Sequence, residues 1–200
     1  MIAVIDYGMG NLRSVAKALE AAGARQVKVS SSPKEILRAD KIVLPGVGAM
    51  GQAMRQLKAL GLIDIIKENI FKKPFFGICL GMQILFTESQ EGGRVEGLNI
   101  FKGRVNRFSD KLKVPHMGWN SIKAAGGWCS ILKGIADNSY FYFCHSYYVA
   151  SADKSIVAAT TNYGREFVSA VCKNNLFACQ FHPEKSQAAG LKILRNFVQL

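Results

Sequence analysis

Pro74-Phe75-Phe76-Gly77-Ile78-Cys79-Leu80-Gly81-Met82-Gln83 is the stretch that decides the fold. An apolar run of strand length ends in Gly-x-Cys-x-Gly and passes directly into helical spacing. That order marks a buried strand, a turn sharp enough to lift one side chain above the sheet edge, and a helix running from Leu80 to about Thr87. Glycines flank the cysteine because the strained turn leaves no room for side chains. A thiol at a helix N-terminus feels the helix dipole, which favours its ionised form. The N–H of Leu80 then points at a bound carbonyl as an oxyanion donor. The plainer alternative for Cys79 is a buried cysteine at a strand end.

Working outward, Met1–Asp6 and Lys41–Leu44 are short aliphatic runs ending in turn residues, as buried parallel strands do. Between them Leu12, Val15, Ala16 and Leu19 recur at helical spacing, and Gly23 stops that helix. From about Gly97 the pattern changes to short strands with turns: Asn99–Phe108, Ser139–Ala150, Ser155–Asn162, Glu166–Cys172 and Leu176–Phe181. A last helix follows Glu184, with Ala188, Leu191, Leu194, Phe197 and Val198 as its apolar stripe. The expected fold is α/β: a three-layer, open, mostly parallel sheet flanked by helices, with an antiparallel insertion, in one domain over residues 1–200. In such sheets ligands gather at the carboxyl ends of the strands. The loops Tyr7–Asn11 and Pro45–Gly48 and the Cys79 turn therefore share one rim.

Composition narrows the function. Hydrophobic residues make up 49% and charged residues 20%, ordinary values for a globular protein. The apolar runs are strand-sized, too short to span a membrane. Met1 leads straight into Ile2-Ala3-Val4-Ile5 with no basic leader, so a cytoplasmic protein is expected. The net charge of +12 is the outlier. Its lysines and arginines are scattered and no nucleic-acid motif accompanies them, so nucleic acid is not an expected partner. Five cysteines without a CxxC pair and three widely spaced histidines suggest no metal site and no disulfide framework. Cys144, Cys172 and Cys179 read as small buried hydrophobes.

His182-Pro183-Glu184 supplies what Cys79 needs. The proline fixes the chain between two titratable residues. A neutral imidazole accepts the thiol proton, and the carboxylate holds the tautomer and stabilises the imidazolium. Pro45-Gly46-Val47-Gly48 reads either as a strand-to-helix turn or as a mobile segment supplying a second oxyanion N–H at Val47, its glycines allowing a peptide flip. Pro115–Asn120 reads as a packing corner or as an interface anchor around Trp119. His145-Ser146-Tyr147 ends an aromatic strand.

With these motifs quoted, the chain resembles the class I (triad-type) glutamine amidotransferases. More narrowly it is similar to the glutaminase subunits of imidazole glycerol phosphate synthases in histidine biosynthesis. The superfamily part of the likeness is carried by Gly77–Gln83 and His182–Ser186. Asp6–Asn11 and Pro115–Asn120 select the histidine branch. The resemblance implies a Cys79 thioester with glutamine, with His182 and Glu184 completing the triad, and oxyanion donors at Val47 and Leu80. It implies glutamine binding by Gly48, Gln83, Glu91, Ser146 and Tyr147. It further implies a heterodimer with a cyclase subunit, a (β/α)8 barrel, that receives ammonia and makes imidazole glycerol phosphate and an aminoimidazole carboxamide ribotide. Asn11, Trp119, Tyr142 and Lys185 match interface positions, and glutaminase activity is expected to be low until the cyclase binds its ligand. No cofactor is implied. Related pairs that aminate surface-sugar precursors are the alternative within the same chemistry.

Overall fold

The computed structural model describes residues 1–200. The first half alternates strand and helix: β1 (Ile2–Ile5), α1 (Leu12–Ala21), β2 (Val27–Ser30), α2 (Pro33–Arg38), β3 (Lys41–Gly46), α3 (Met50–Ala59), α4 (Leu62–Asn69) and β4 (Phe75–Cys79). A single helical turn, α5 (Leu80–Gln83), leads into β5 (Phe86–Ser89), β6 (Val95–Glu96), β7 (Phe101–Arg107), β8 (His116–Ser121) and β9 (Lys123–Ala124). The chain closes with β10 (Tyr140–His145), β11 (Tyr147–Ser151), β12 (Val157–Asn162), β13 (Glu166–Lys173), β14 (Leu176–Cys179) and α6 (Gln187–Val198).

Twelve strands form one sheet in the order β2-β1-β3-β4-β14-β13-β11-β7-β5-β6, with β12 beside β13 and β9 beside β12. The pairs among β2, β1, β3, β4 and β14 are all parallel. Beyond β14 the pairing turns antiparallel, except between β5 and β7. Strands β8 and β10 form a separate antiparallel ribbon.

β4 lies between β3 and β14 in the parallel part, and all five of its residues are buried. Its alternation feeds both layers. Phe76 and Ile78 enter a core with Val15 and Leu19 of α1 and Leu194 and Phe197 of α6. Phe75 enters the opposite core with Ile36, Leu57 and Ile66 of the α2–α4 layer. Strands covered on both faces read as continuous apolar runs, which is why Phe75–Cys79 shows no polar alternation.

Some sequence expectations need correction. The helix after Cys79 ends at Gln83 and does not reach Thr87, because Phe86–Ser89 pairs with β6 and β7 as a strand. The Ile84 and Leu85 carbonyls are taken by the N–H groups of Leu98, Ile100 and Phe101, which leaves nothing to continue a helix. The run Ser139–Ala150 is two strands broken at Ser146. Most of Pro115–Asn120, read as a packing corner or an interface anchor, lies in β8 (His116–Ser121), because β10 supplies a partner along its whole length.

The Phe76 and Phe197 rings lie 5.4 Å apart, and both are fully buried, joining β4 to the last helix. Phe197→Ala is expected to cost about 3–5 kcal/mol in chemical denaturation. A cost near zero would show that this helix does not close the core.

Candidate active site

Cys79 stands at the junction of β4 and α5 with φ 55° and ψ −107°, a conformation rare for a residue with a side chain. Such backbone costs about 1–3 kcal/mol and persists only where the surroundings impose it. Close approach imposes it here. A Cβ on Gly81 would lie 1.8 Å from the Leu44 carbonyl oxygen, and one on Gly77 would lie 2.8 Å from the Gly81 oxygen. The turn is thus pressed against β3 and its own strand, and both flanking positions must be glycine. The helix that follows is a single turn, so the dipole expected of a longer helix is largely missing.

The β3 end sits beside this turn, with Gly46 in register with Cys79. Beyond it, Gly48 holds φ +96°, and Val47 projects to solvent at 42% exposure. Val47 and Gly48 line the same cavity as Cys79 and Leu80. Tyr7 packs against the Gly46 end of β3. Its ring is fully buried, its hydroxyl has no hydrogen-bond partner, and a Cβ on Gly46 would lie 2.1 Å from that oxygen. Burial, with the charge of Cys79 adding to it, raises the Tyr7 pKa.

His182 follows β14, whose residues pair in parallel with β4. Its N–H donates to the Tyr142 carbonyl at 2.9 Å, and Ser186 Oγ donates to the His182 carbonyl at 2.6 Å. The His182 Nδ1 lies 2.8 Å from Glu184 Oε1, with the side chains only 4% and 2% exposed. That contact leaves Nε2 for the thiol. Glu184 Oε2 is buried and unpartnered, so the carboxylate spends itself on the imidazole alone. Burial works against a charge on His182, but hydrogen bonds and charge from Cys79 and Glu184 overcome it and raise its pKa to about 10. The surroundings thus favour a protonated His182 beside an ionised Cys79.

The cavity over Cys79 measures about 370 Å³, within the range of small-ligand sites. It brings together Gly48, Gln83, Glu91, Ser146 and Tyr147 with Cys79 and His182. Gln83 Nε2 donates to the Tyr147 carbonyl and to Gln180 Oε1, each at 3.0 Å. Glu91 Oε2 accepts the Met50 N–H at 2.8 Å and caps α3, leaving Oε1 for a ligand.

The four expected interface residues fall into two places. Trp119 and Tyr142 face each other across β8 and β10, with rings 6.3 Å apart, and Lys185 Nζ lies 5.6 Å from the Tyr142 ring centroid. Lys185 also lines the cavity mouth. Asn11 instead caps α1, accepting the Ser14 N–H at 3.3 Å beyond the carboxyl end of β1.

Sequence reasoning gave no individual role to four residues at the site. Gln180 lies against Cys79, the Tyr7 hydroxyl lies against Gly46, and His116 and His145 form a buried pair, Nδ1 to Nε2 at 2.9 Å. Gln180 follows β14 directly, two residues before His182, and that proximity is the one signal that could have found it. Burial holds His116 and His145 neutral, with pKa values lowered to about 4 and about 3.

The fold and the site geometry define a class. The glutamine amidotransferase class-I family matches residues 3–200, and the chain belongs to that family. Within it, the chain is 50% identical to imidazole glycerol phosphate synthase subunit HisH of Acinetobacter baylyi, over 99% of this chain and 97% of that protein. It is 51% identical to the subunit of the same name from Methanocaldococcus jannaschii, over the whole of both chains. Among solved structures, PurLQS from Thermotoga maritima superposes with a TM-score of 0.77 at 17% identity, over 99% of this chain and 97% of that one. At that identity the likeness speaks for the fold.

The three histidines make opposite contributions to stability. His182 has a raised pKa, so its contribution is full below about 6.5 and is lost as pH rises toward about 10. His116 and His145 have depressed values, so theirs is full above about 6.5 and is lost as pH falls through about 4 and then about 3. In an NMR titration His182 is expected to stay protonated through neutral pH, and Glu184→Gln to lower its midpoint by about one to three pH units. An unmoved midpoint would contradict the pairing.

Proposed function

We propose that this chain is the glutaminase subunit of an imidazole glycerol phosphate synthase, hydrolysing glutamine to glutamate and ammonia in one domain over residues 1–200. Full-length likeness of about half identity to proteins of that name supports the reading. The observation that carries it is Cys79 on its strained turn, sharing one cavity with His182 backed by Glu184.

In this reading the Cys79 sulfur attacks the side-chain amide carbon of glutamine. The oxyanion that forms is received by the N–H groups of Leu80 and Val47. His182 enters protonated and gives its proton to the departing ammonia, leaving a glutamyl thioester. The now neutral imidazole takes a proton from water, which cleaves the thioester and releases glutamate. Glu184 keeps the imidazole oriented in both steps. Gly48, Gln83, Glu91, Ser146 and Tyr147 hold the substrate, with the Glu91 carboxylate suited to its ammonium group.

Ammonia must then reach an acceptor without protonation by solvent, which calls for a partner over the site. The partner is a cyclase subunit, and the two chains form a heterodimer. Trp119, Tyr142 and Lys185 supply an aromatic face beside the cavity mouth, extended by Met117 and Tyr140, each 61% exposed. Aromatic residues and methionine are the usual content of a protein interface. Asn11 contributes from the neighbouring loop. No helix is long and apolar enough to cross a membrane, and reaction in the cytoplasm is part of the proposal. No nucleic acid, metal or cofactor enters the mechanism.

Cys79→Ala is expected to abolish glutamate release when a cyclase barrel and its nucleotide ligand are both present. Undiminished release by that variant would refute the assignment. Trp119→Ala is expected to weaken association with the cyclase at least about tenfold while leaving the folded state intact. Unchanged affinity would move the interface elsewhere.

A further inference from the structure

Gln180 is fully buried and belongs to neither the triad nor the cavity wall, yet its Nε2 lies 3.6 Å from the Cys79 sulfur. Which end of its carboxamide faces the sulfur is settled by its neighbours. The Tyr147 carbonyl can only accept, so Gln83 must turn its Nε2 toward it. The second N–H of that same nitrogen meets Gln180, which must answer with Oε1. The Gln180 amide nitrogen is thereby left pointing at sulfur.

The Tyr147 carbonyl is itself fixed from behind. His145 Nδ1 lies 2.7 Å from it, so this nitrogen carries the proton and Nε2 accepts from His116 Nδ1 at 2.9 Å. His116 Nε2 then accepts from Asn120 Nδ2 at 3.2 Å. His145 Nδ1 and Gln83 Nε2 thus both donate to the Tyr147 carbonyl, and from Gln83 onward the donor direction runs through Gln180 toward sulfur. It ends as an N–H aimed at the nucleophile.

We propose that Gln180 is a further catalytic residue, a buried amide donor that stabilises the Cys79 thiolate. It acts on the free thiolate before attack and again when the thiolate departs from the thioester, and it loses its acceptor while sulfur is acylated. Gln83 and the Tyr147 carbonyl are positioning groups that hold the amide in this sense, and His145, backed by His116 and Asn120, holds that carbonyl in place. The inference rests on Cys79 being the nucleophile.

The test is the pH dependence of Cys79 alkylation by iodoacetamide, which needs neither glutamine nor the cyclase. His182 with Glu184 behind it, the Tyr7 phenol and the Cys179 thiol face the sulfur from other sides, and Glu91 and Lys185 are the charged groups of the cavity. All are kept in Gln180→Met, which retains the side-chain length without the N–H. Its alkylation midpoint is expected to rise by about one pH unit, a tenfold loss of thiolate at fixed pH on that limb. Gln180→Glu keeps every heavy-atom position and serves if the methionine variant does not fold; it is expected to raise the midpoint further. A rise of less than about half a pH unit, or a fall, in either folded variant overturns the inference. A merely structural role would lower the melting temperature and leave the midpoint in place. If Cys79→Ala labels as readily as the parent protein, the nucleophile assignment itself fails. If only Cys79 labels and the variants titrate like the parent, Gln180 alone loses its role.

Discussion

The contact between Gly81 and the Leu44 carbonyl is the constraint on which the rest of the molecule depends. It presses the start of α5 against β3 so tightly that a methyl group cannot enter, and so holds Cys79 at a positive φ. A strained conformation persists only if the surroundings cannot relax, and here both faces of β4 are locked by buried phenylalanines. The same parallel register sets Gly46 beside Cys79 on one side and brings β14, with His182 just beyond it, to the other. Strand order therefore determines which groups can meet the thiol.

Much of this was readable in the sequence, for identifiable reasons. Phe75–Cys79 and Ile42–Leu44 are apolar on both faces, and only a doubly covered strand tolerates that. The flanking glycines and the His182–Glu184 spacing carried the triad, because a proline and a short spacing leave few ways to place two titratable groups. The residues after Gln83 were misread because apolar periodicity in Ile84–Thr87 suits helix and strand alike, and pairing with β7 decided between them. Pro115–Asn120 did not read as a strand because Met117 and Trp119 face outward, reversing the pattern expected of a strand that covers a core. Gln180 and the His116–His145 pair were illegible for another reason. Their importance lies in donor and acceptor direction, which depends on partners remote in sequence.

The site and the proposed interface are physically continuous. Tyr142 pairs with Trp119, its carbonyl receives the His182 N–H, and its ring lies 6.4 Å from the His182 ring. Asn120, which begins the buried polar line toward sulfur, sits on β8 between exposed Trp119 and Ser121. A partner pressing on this ribbon thus bears on two routes to the thiol, one through the backbone at Tyr142 and one through the histidine pair. A coupling of this kind is energetic only where each route has two arrangements, and Gly48 at φ +96° beside exposed Val47 marks the segment best able to supply a second one. The net charge of +12 is not explained by the site.

The central claim is that Cys79 is the nucleophile of a glutamine-directed acyl transfer. Its most direct test is mass spectrometry of the protein after reaction with a glutamine chloroketone, followed by peptide mapping. The account predicts a single adduct on the Cys79 peptide, slowed by excess glutamine and absent in Cys79→Ala. An adduct on Cys144 or another cysteine, or one that glutamine does not slow, would contradict it.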